Sequence, residues 1–210
     1  MSNLLKKRFR YTYFKATFLI VAINVLMYLL SNLYGHFHEL FSMNPVLVIR
    51  YKYFWQPFTC MFMHANWNHL FFNMIGLLIF GINIEKSMGS KEFVMFYLLC
   101  GFLANILSLV VYLITNQYFV FLLGASGAVY AVLLAFATIF PRVRIFVFGI
   151  IPVPAPVLII LYTIIELFSS FSTRSNVAHF THLFGFLTSY LYFVIRVGVN
   201  PIKIWKNSLK

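Results

Sequence analysis

Residues 120–140 read VFLLGASGAVYAVLLAFATIF, and the fold class follows from what such a run can be. A bilayer's hydrocarbon core is crossed by about 20 apolar residues of helix, and this stretch has that length with no charge in it. Its polar side chains are Ser126, Tyr130 and Thr138 alone. Working outward, five further apolar runs lie at about 16–35, 58–83, 92–115, 154–171 and 178–199. The whole chain is 62% hydrophobic and 10% charged over 210 residues, too little polar surface to cover a water-soluble globule. The reading is an all-α polytopic membrane protein, a bundle of six transmembrane helices spanning 16–199.

The segments between and beyond the runs complete the layout. Residues 36–56 are mixed enough to lie in the membrane interface rather than cross it. Pro152, Pro154 and Pro156 break helix before the fifth run and are expected to keep it short. Residues 1–15 and 200–210 are basic ends, read as cytoplasmic. Met1 to Arg10 precede a run of span length with no small-residue cleavage site, so the N-terminus is expected to stay. Compactness and the want of a targeting segment point to a bacterial plasma membrane. Cys60 and Cys100 both lie inside apolar stretches and read as small apolar filler.

The net charge of +12 does not indicate nucleic acid. The Lys and Arg residues sit between and beyond apolar runs instead of forming one basic face. Counted by alternate loops with the N-terminus inside, all but three of the 16 fall on the cytoplasmic side, the exceptions being Arg50, Lys52 and Arg174. That bias orients the bundle with both termini inside. The second, fourth and sixth spans then start at the outer face.

Those three spans carry the polar groups that lipid makes expensive, and each such group is a functional candidate. The second holds His64, His69 and Asn73 in HANWNHLFFNM; the fourth opens on Gly124-Ala125-Ser126-Gly127, followed by Tyr130; the sixth opens on His179 and His182 in AHFTHLFGF. Ser126 and His182 are expected one to two turns below the outer entry of their helices, and His69 somewhat deeper. His69 and Asn73 stand four residues apart, as do Ser126 and Tyr130, so each pair projects from one face. Gly127, Ala131 and Ala135 on the fourth span, and Gly185 and Ser189 on the sixth, let two backbones approach. Ser126 and His182 can then meet at hydrogen-bond distance.

The residue types narrow the chemistry. All four acids are Glu, which excludes an aspartyl protease and a Ser-His-Asp triad; no HExxH is present, so the zinc-protease pattern is missing. A Ser–His pair remains, with Tyr130 placed to stack on the imidazole. Glu166, near the outer end of the fifth span, is the one acid that can assist. Ser126 has its own N–H and the positive end of its helix, and His69 and Asn73 offer two more donors, an oxyanion hole for acyl transfer. Gly124 and Gly127 leave room around the nucleophile. His64 and His179 read more simply as partners of loop carbonyls, His64 buttressing the loop before the second span. A metal on His179 and His182 is not expected, since no further ligand is in place.

Taken together, HxxxxHxxxN as His64-His69-Asn73, GxSG with Tyr130, and His182 with Gly185 and Ser189 resemble the rhomboid family of intramembrane serine proteases. Glu85-Lys86 with Gly89, and Phe140-Pro141, are similar too. Two positions depart: Trp55-Gln56 stands where many members have Trp-Arg, and Ser189 stands where a Gly is usual. The resemblance implies a six-span core and cleavage of transmembrane segments of other proteins near the outer face, without cofactor. It also implies substrate entry beside the fifth span. Two other readings stay open: a non-catalytic rhomboid-like protein that binds membrane helices, and a transporter or proton relay. The relay predicts polar groups in the cytoplasmic half as well, which reads as almost wholly apolar. Oligomeric state is not indicated.

Overall fold

In the computed structural model of the chain, residues 8–147, 149–172, 177–208 and 210 are described. Four helices are long and apolar enough to cross a membrane, and two shorter apolar helices pack with them. The first long one, α1 (Ala16–Leu33), has no side-chain cap of its own and is capped by Glu85 from another helix. The carboxylate accepts from the N–H groups of Ala16 at 2.6 Å and Thr17 at 2.9 Å, and from the Thr17 and Ser90 hydroxyls. An anion there satisfies the unpaired donors of the first turn and the positive end of the dipole.

Residues 34–66 fold as a scaffold rather than a loose loop. Short helices α2 (Phe37–Phe41), α3 (Pro45–Ile49) and α4 (Gln56–Thr59) are followed by a tight turn, Cys60–Phe62. Buried Gln56 accepts from the Asn44 N–H at 3.1 Å and donates to the Glu39 carbonyl at 2.8 Å, while Trp55 Nε1 donates to the Leu40 carbonyl at 2.9 Å. Here the Trp-Gln pair staples the segment to itself. Asn44 caps α3 and reaches the carbonyls of Tyr118 and Val120, Met43 pairs with Leu122, and the Gly124 N–H donates to the Cys60 carbonyl at 2.9 Å. The scaffold thus fixes the chain just before Ser126.

The long helices α5 (Trp67–Met88) and α6 (Ser90–Ile114) surround α7 (Ser126–Ile139). Most of α7 is buried on every side, the mark of a central helix. Its 14 residues measure about 21 Å, short of the roughly 30 Å of hydrocarbon. After it come an antiparallel hairpin, β1 (Arg144–Val147) with β2 (Ile151–Pro154), and then α8 (Ala155–Ser172), α9 (Val177–Tyr192) with a wide turn Phe193–Val197, and α10 (Pro201–Ser208). Large apolar side chains such as Phe18, Leu26, Ile165 and Phe168 face outward, as lipid permits and water does not.

Several expectations are corrected. The chain is not wholly helical: the proline-bearing connector is the β1–β2 hairpin. Pro152 and Pro154 alternate with the ladder residues, so their missing N–H groups face away from the partner strand. Helix resumes at Ala155, one residue after the expected start, and α8 with its 18 residues is one of the shorter apolar helices, as the prolines before it led one to expect. The second span starts at Trp67 and the fourth at Ser126, later than 58 and 120, because the preceding residues belong to the scaffold. Residues 201–208 are a helix whose Trp205 donates to the Ala137 carbonyl at 3.0 Å, not a free tail.

The end of the bundle remote from Ser126 is also less apolar than expected. It holds Glu85 at the α1 cap and Glu92, which accepts from Arg196 Nε at 2.6 Å, from Tyr192 and from the Phe9 N–H. Lys6, Lys7 and Arg174 lie outside the described residues.

Candidate active site

Two glycines decide how close α7 and α9 come. A Cβ built on Gly185 would lie 2.2 Å from the Gly127 carbonyl oxygen, and one on Gly127 would lie 3.1 Å from Thr181 Cγ2. The backbones therefore touch. Hydroxyls hold the register: Ser189 donates to the Ala131 carbonyl at 2.9 Å, and Thr181 bonds Ser108 of α6 at 2.7 Å. At this approach His182 Nε2 lies 2.8 Å from Ser126 Oγ, within reach for proton transfer.

The imidazole is held from two further directions. The Tyr130 ring stacks on it, with centroids 4.1 Å apart and planes 10° from parallel. On its far side, His182 Nδ1 lies 2.9 Å from Glu166 Oε1. Glu166 is buried on α8; its Oε1 also accepts from the Tyr130 hydroxyl at 2.5 Å, and its Oε2 lies 2.6 Å from His179 Nδ1. This acid is the principal residue that reasoning from sequence undervalued, and its one signal was its rarity, a carboxylate in an otherwise apolar span. His179 meets this carboxylate and not a loop carbonyl, and the expectation that no acid stands near the two histidines is overturned. Glu166, His179 and His182 bring ligand atoms within 4.8 Å of one another, so they are the described residues able to hold a metal. Each of those atoms is already hydrogen-bonded within the cluster.

Ser126 is the first residue of α7, after Ala125, whose side chain cannot cap the helix. It stands at the start of the helix and not a turn or two along it. The N–H groups of that first turn have no acceptor within the helix and lie at the positive end of its dipole, beside the hydroxyl. His69 is the third residue of α5, after Asn66, whose side chain accepts from the His69 N–H at 2.9 Å. Its imidazole lies against Gly124: with φ +130°, that residue leaves the space where a Cβ would fall 2.7 Å from His69 Cε1 and 2.8 Å from Nε2. Asn73 donates to the His69 carbonyl at 2.8 Å, which leaves its second amide hydrogen for another acceptor.

His64 is fully buried in the turn before α5, where the Phe62 backbone is the loop group that acts on it without a well-aligned hydrogen bond, and its ring meets His69 edge-on at 5.1 Å. Burial, helped by neighbouring His69, lowers its pKa from about 6.5 to about 3. Cys60 and Cys100 are buried and free.

Ser126, His182, His69 and Asn73 line one cavity of about 650 Å³. Its other walls come from α5 and α8, including Phe72, Ile79 and Tyr162, and from β1. Phe72 and Ile79 are well exposed on the outside of the bundle, at 69% and 54%, so the cavity opens sideways between α5 and α8.

Comparison with known proteins gives the chain a family. Residues 51–198 match the family model described as Rhomboid domain. From Arabidopsis thaliana, Rhomboid-like protein 11, chloroplastic, is 37% identical over 114 residues, 54% of this chain and 38% of that protein. RHOMBOID-like protein 4 is 30% identical over 73% of this chain and 36% of its own length, and RHOMBOID-like protein 2 is 31% identical over 73% and 45%. The chain spans less than half the length of these relatives.

Proposed function

The chain belongs to the rhomboid family, an integral multi-pass membrane protein, and from that premise we propose that it is an intramembrane serine endopeptidase acting on transmembrane segments of other membrane proteins. The observation that carries this reading is the 2.8 Å contact of His182 Nε2 with Ser126 Oγ in the wall of a cavity that opens toward lipid. Arg50 and Lys52 lie on the scaffold between α3 and α4, while Arg196 bonds Glu92, and Lys86 and Lys91 adjoin Glu85 and Glu92, at the end remote from Ser126. The charge rule then supports a Ser126 near the outer face and termini inside.

A substrate helix enters between α5 and α8 and unwinds locally, exposing a peptide carbonyl. Ser126 Oγ attacks that carbon as its proton passes to His182 Nε2. Charge developing on the carbonyl oxygen is met by the Ser126 N–H, the uncapped first turn of α7, and the His69 and Asn73 side chains. His182 then returns the proton to the leaving nitrogen as the C–N bond breaks. Water, activated by the same imidazole, releases the acyl group. Side chains, backbone donors and water supply every step, so the proposal includes no cofactor.

The test is cleavage of a transmembrane substrate by the detergent-purified chain. Ser126→Ala and His182→Ala each lower kcat by about 10³-fold or more, and the double variant is no worse than either, because the two act as a unit. Unchanged cleavage by Ser126→Ala removes the reading. The lateral cavity also suits a protein that only holds helices; labelling of Ser126 by a fluorophosphonate probe separates the two. The relay reading is disfavoured because Glu85 and Glu92, at the far end, are each locked in hydrogen bonds to neighbours.

A further inference from the structure

We infer that Glu166 completes the pair as a third member, a positioning residue that acts through His182; this rests on the serine-protease reading above. An ionised carboxylate only accepts hydrogen bonds. Glu166 Oε1 stands 2.9 Å from His182 Nδ1, so the ring proton is held at Nδ1 and the lone pair of Nε2 points at Ser126 Oγ, 2.8 Å away. That is the tautomer a general base needs.

The carboxylate is itself over-determined. The Tyr130 hydroxyl donates to the oxygen that faces His182, and His179 holds the other oxygen at 2.6 Å. Tyr130 also stacks on the His182 ring, so one side chain fixes both partners of the bond. Three groups thus converge on one buried carboxylate and fix where it stands. Two of them, His182 and Tyr130, also make direct contact with each other, which a mere tether between helices does not require.

The proton inventory is simple. During attack the Ser126 hydroxyl proton moves to His182 Nε2 and the new Oγ–C bond forms. The ring is then an imidazolium with protons on both nitrogens. Glu166 takes up no proton; its negative charge lies beside the new positive one, in a site of low dielectric where that attraction is strong. When the amine leaves, the Nε2 proton goes with it and the Nδ1 proton stays.

The obvious alternative is that Glu166 only ties α8 to α7 and α9, and the experiment separates the two. Glu166→Gln is close to isosteric but neutral, and its amide permits the wrong tautomer. In folded enzyme of unchanged Tm, kcat for a transmembrane substrate falls by about 10²-fold or more with KM within about twofold. Glu166→Asp restores part of kcat. A kcat within about threefold of wild type overturns the inference.

Should Glu166→Gln not fold, histidine ¹⁵N resonances of the wild type decide, with His182 assigned by its absence in His182→Ala. A proton on Nδ1 and none on Nε2 supports the inference, and the reverse tautomer overturns it. Ser126→Ala tells the two readings apart. If it is dead while Glu166→Gln is not, the third member fails and the pair stands. If it stays active, both fail.

Discussion

Gly185 and Gly127 meet so closely that a Cβ on the first would lie 2.2 Å from the carbonyl oxygen of the second. The Ser126–His182 hydrogen bond depends on that approach, since Ser126 adjoins one glycine and His182 lies three residues before the other. Replacing Gly185 by Val forces α9 away from α7, because backbone cannot give way as a flexible side chain can. Cleavage and fluorophosphonate labelling are expected to fall together by about 10²-fold or more, since a displacement of about 1 Å at a catalytic contact has that effect. The Tm should fall as well, as overpacking costs about 1–3 kcal/mol. Labelling at the wild-type rate would show that the helices are not what brings the two side chains together.

Gly124 tests the oxyanion side without touching Ser126 or His182. Its φ of +130° and the His69 ring 2.7 Å from the position of a Cβ make Gly124→Ala strained twice over. Strain of this kind costs about 1–3 kcal/mol. The more telling result is kinetic: His69 must move, and kcat should drop by about 10- to 10³-fold with little change in KM. An unchanged kcat would place His69 outside the oxyanion site.

Glu85 offers the contrast of a residue that stabilises and does no chemistry. It accepts four hydrogen bonds at the start of α1, at the end of the bundle away from Ser126. Glu85→Ala should destabilise by about 2–4 kcal/mol, the loss of a buried hydrogen-bonded network, while kcat per folded molecule stays within about twofold. Thermal unfolding in detergent, paired with titration of active sites, separates the two quantities.

His64 predicts an acid sensitivity of the fold. Its pKa is about 3 when folded against about 6.5 otherwise, so the unfolded chain binds a proton that the folded chain refuses. Stability from this group is complete above about pH 6.5 and is lost as pH falls toward 3, by up to about 1.4 kcal/mol per pH unit. His64→Leu, which keeps the buried site apolar, should flatten the dependence of Tm on pH in that window. A slope identical in wild type and variant would assign the sensitivity to another group.

Much was legible in the residues because lipid imposes a severe rule. A run of about 20 apolar residues has few alternatives to a helix in a membrane, so a mostly helical membrane bundle followed from composition and order. Within a helix the geometry is local: residues four apart share a face, which placed Tyr130 with Ser126 and Asn73 with His69. The small residues at Gly127 and Gly185 said which faces can come close. These inferences need only the helical repeat, whereas the choice of His182 over His179 rested on the spacing to Gly185 that the family resemblance supplied.

What the tertiary structure alone decided is where helices begin and which separate helices share a bond. Residues 120–124 are as apolar as a span, yet they stay out of the helix because Met43 and Cys60 supply hydrogen bonds to Leu122 and Gly124 from the distant scaffold. The Pro152–Pro154 stretch became a strand because Arg144–Val147 was there to pair with it. Glu166 is separated from His182 by 16 residues, and no periodicity links them, since the chain leaves one helix and enters another between them. Local spacing governs residues on one helix, whereas contacts between helices depend on the packing of whole surfaces; that is why the sequence offered Ser126, His182 and Glu166 as candidates, while the bond from the carboxylate to the far side of the imidazole came only with the tertiary structure.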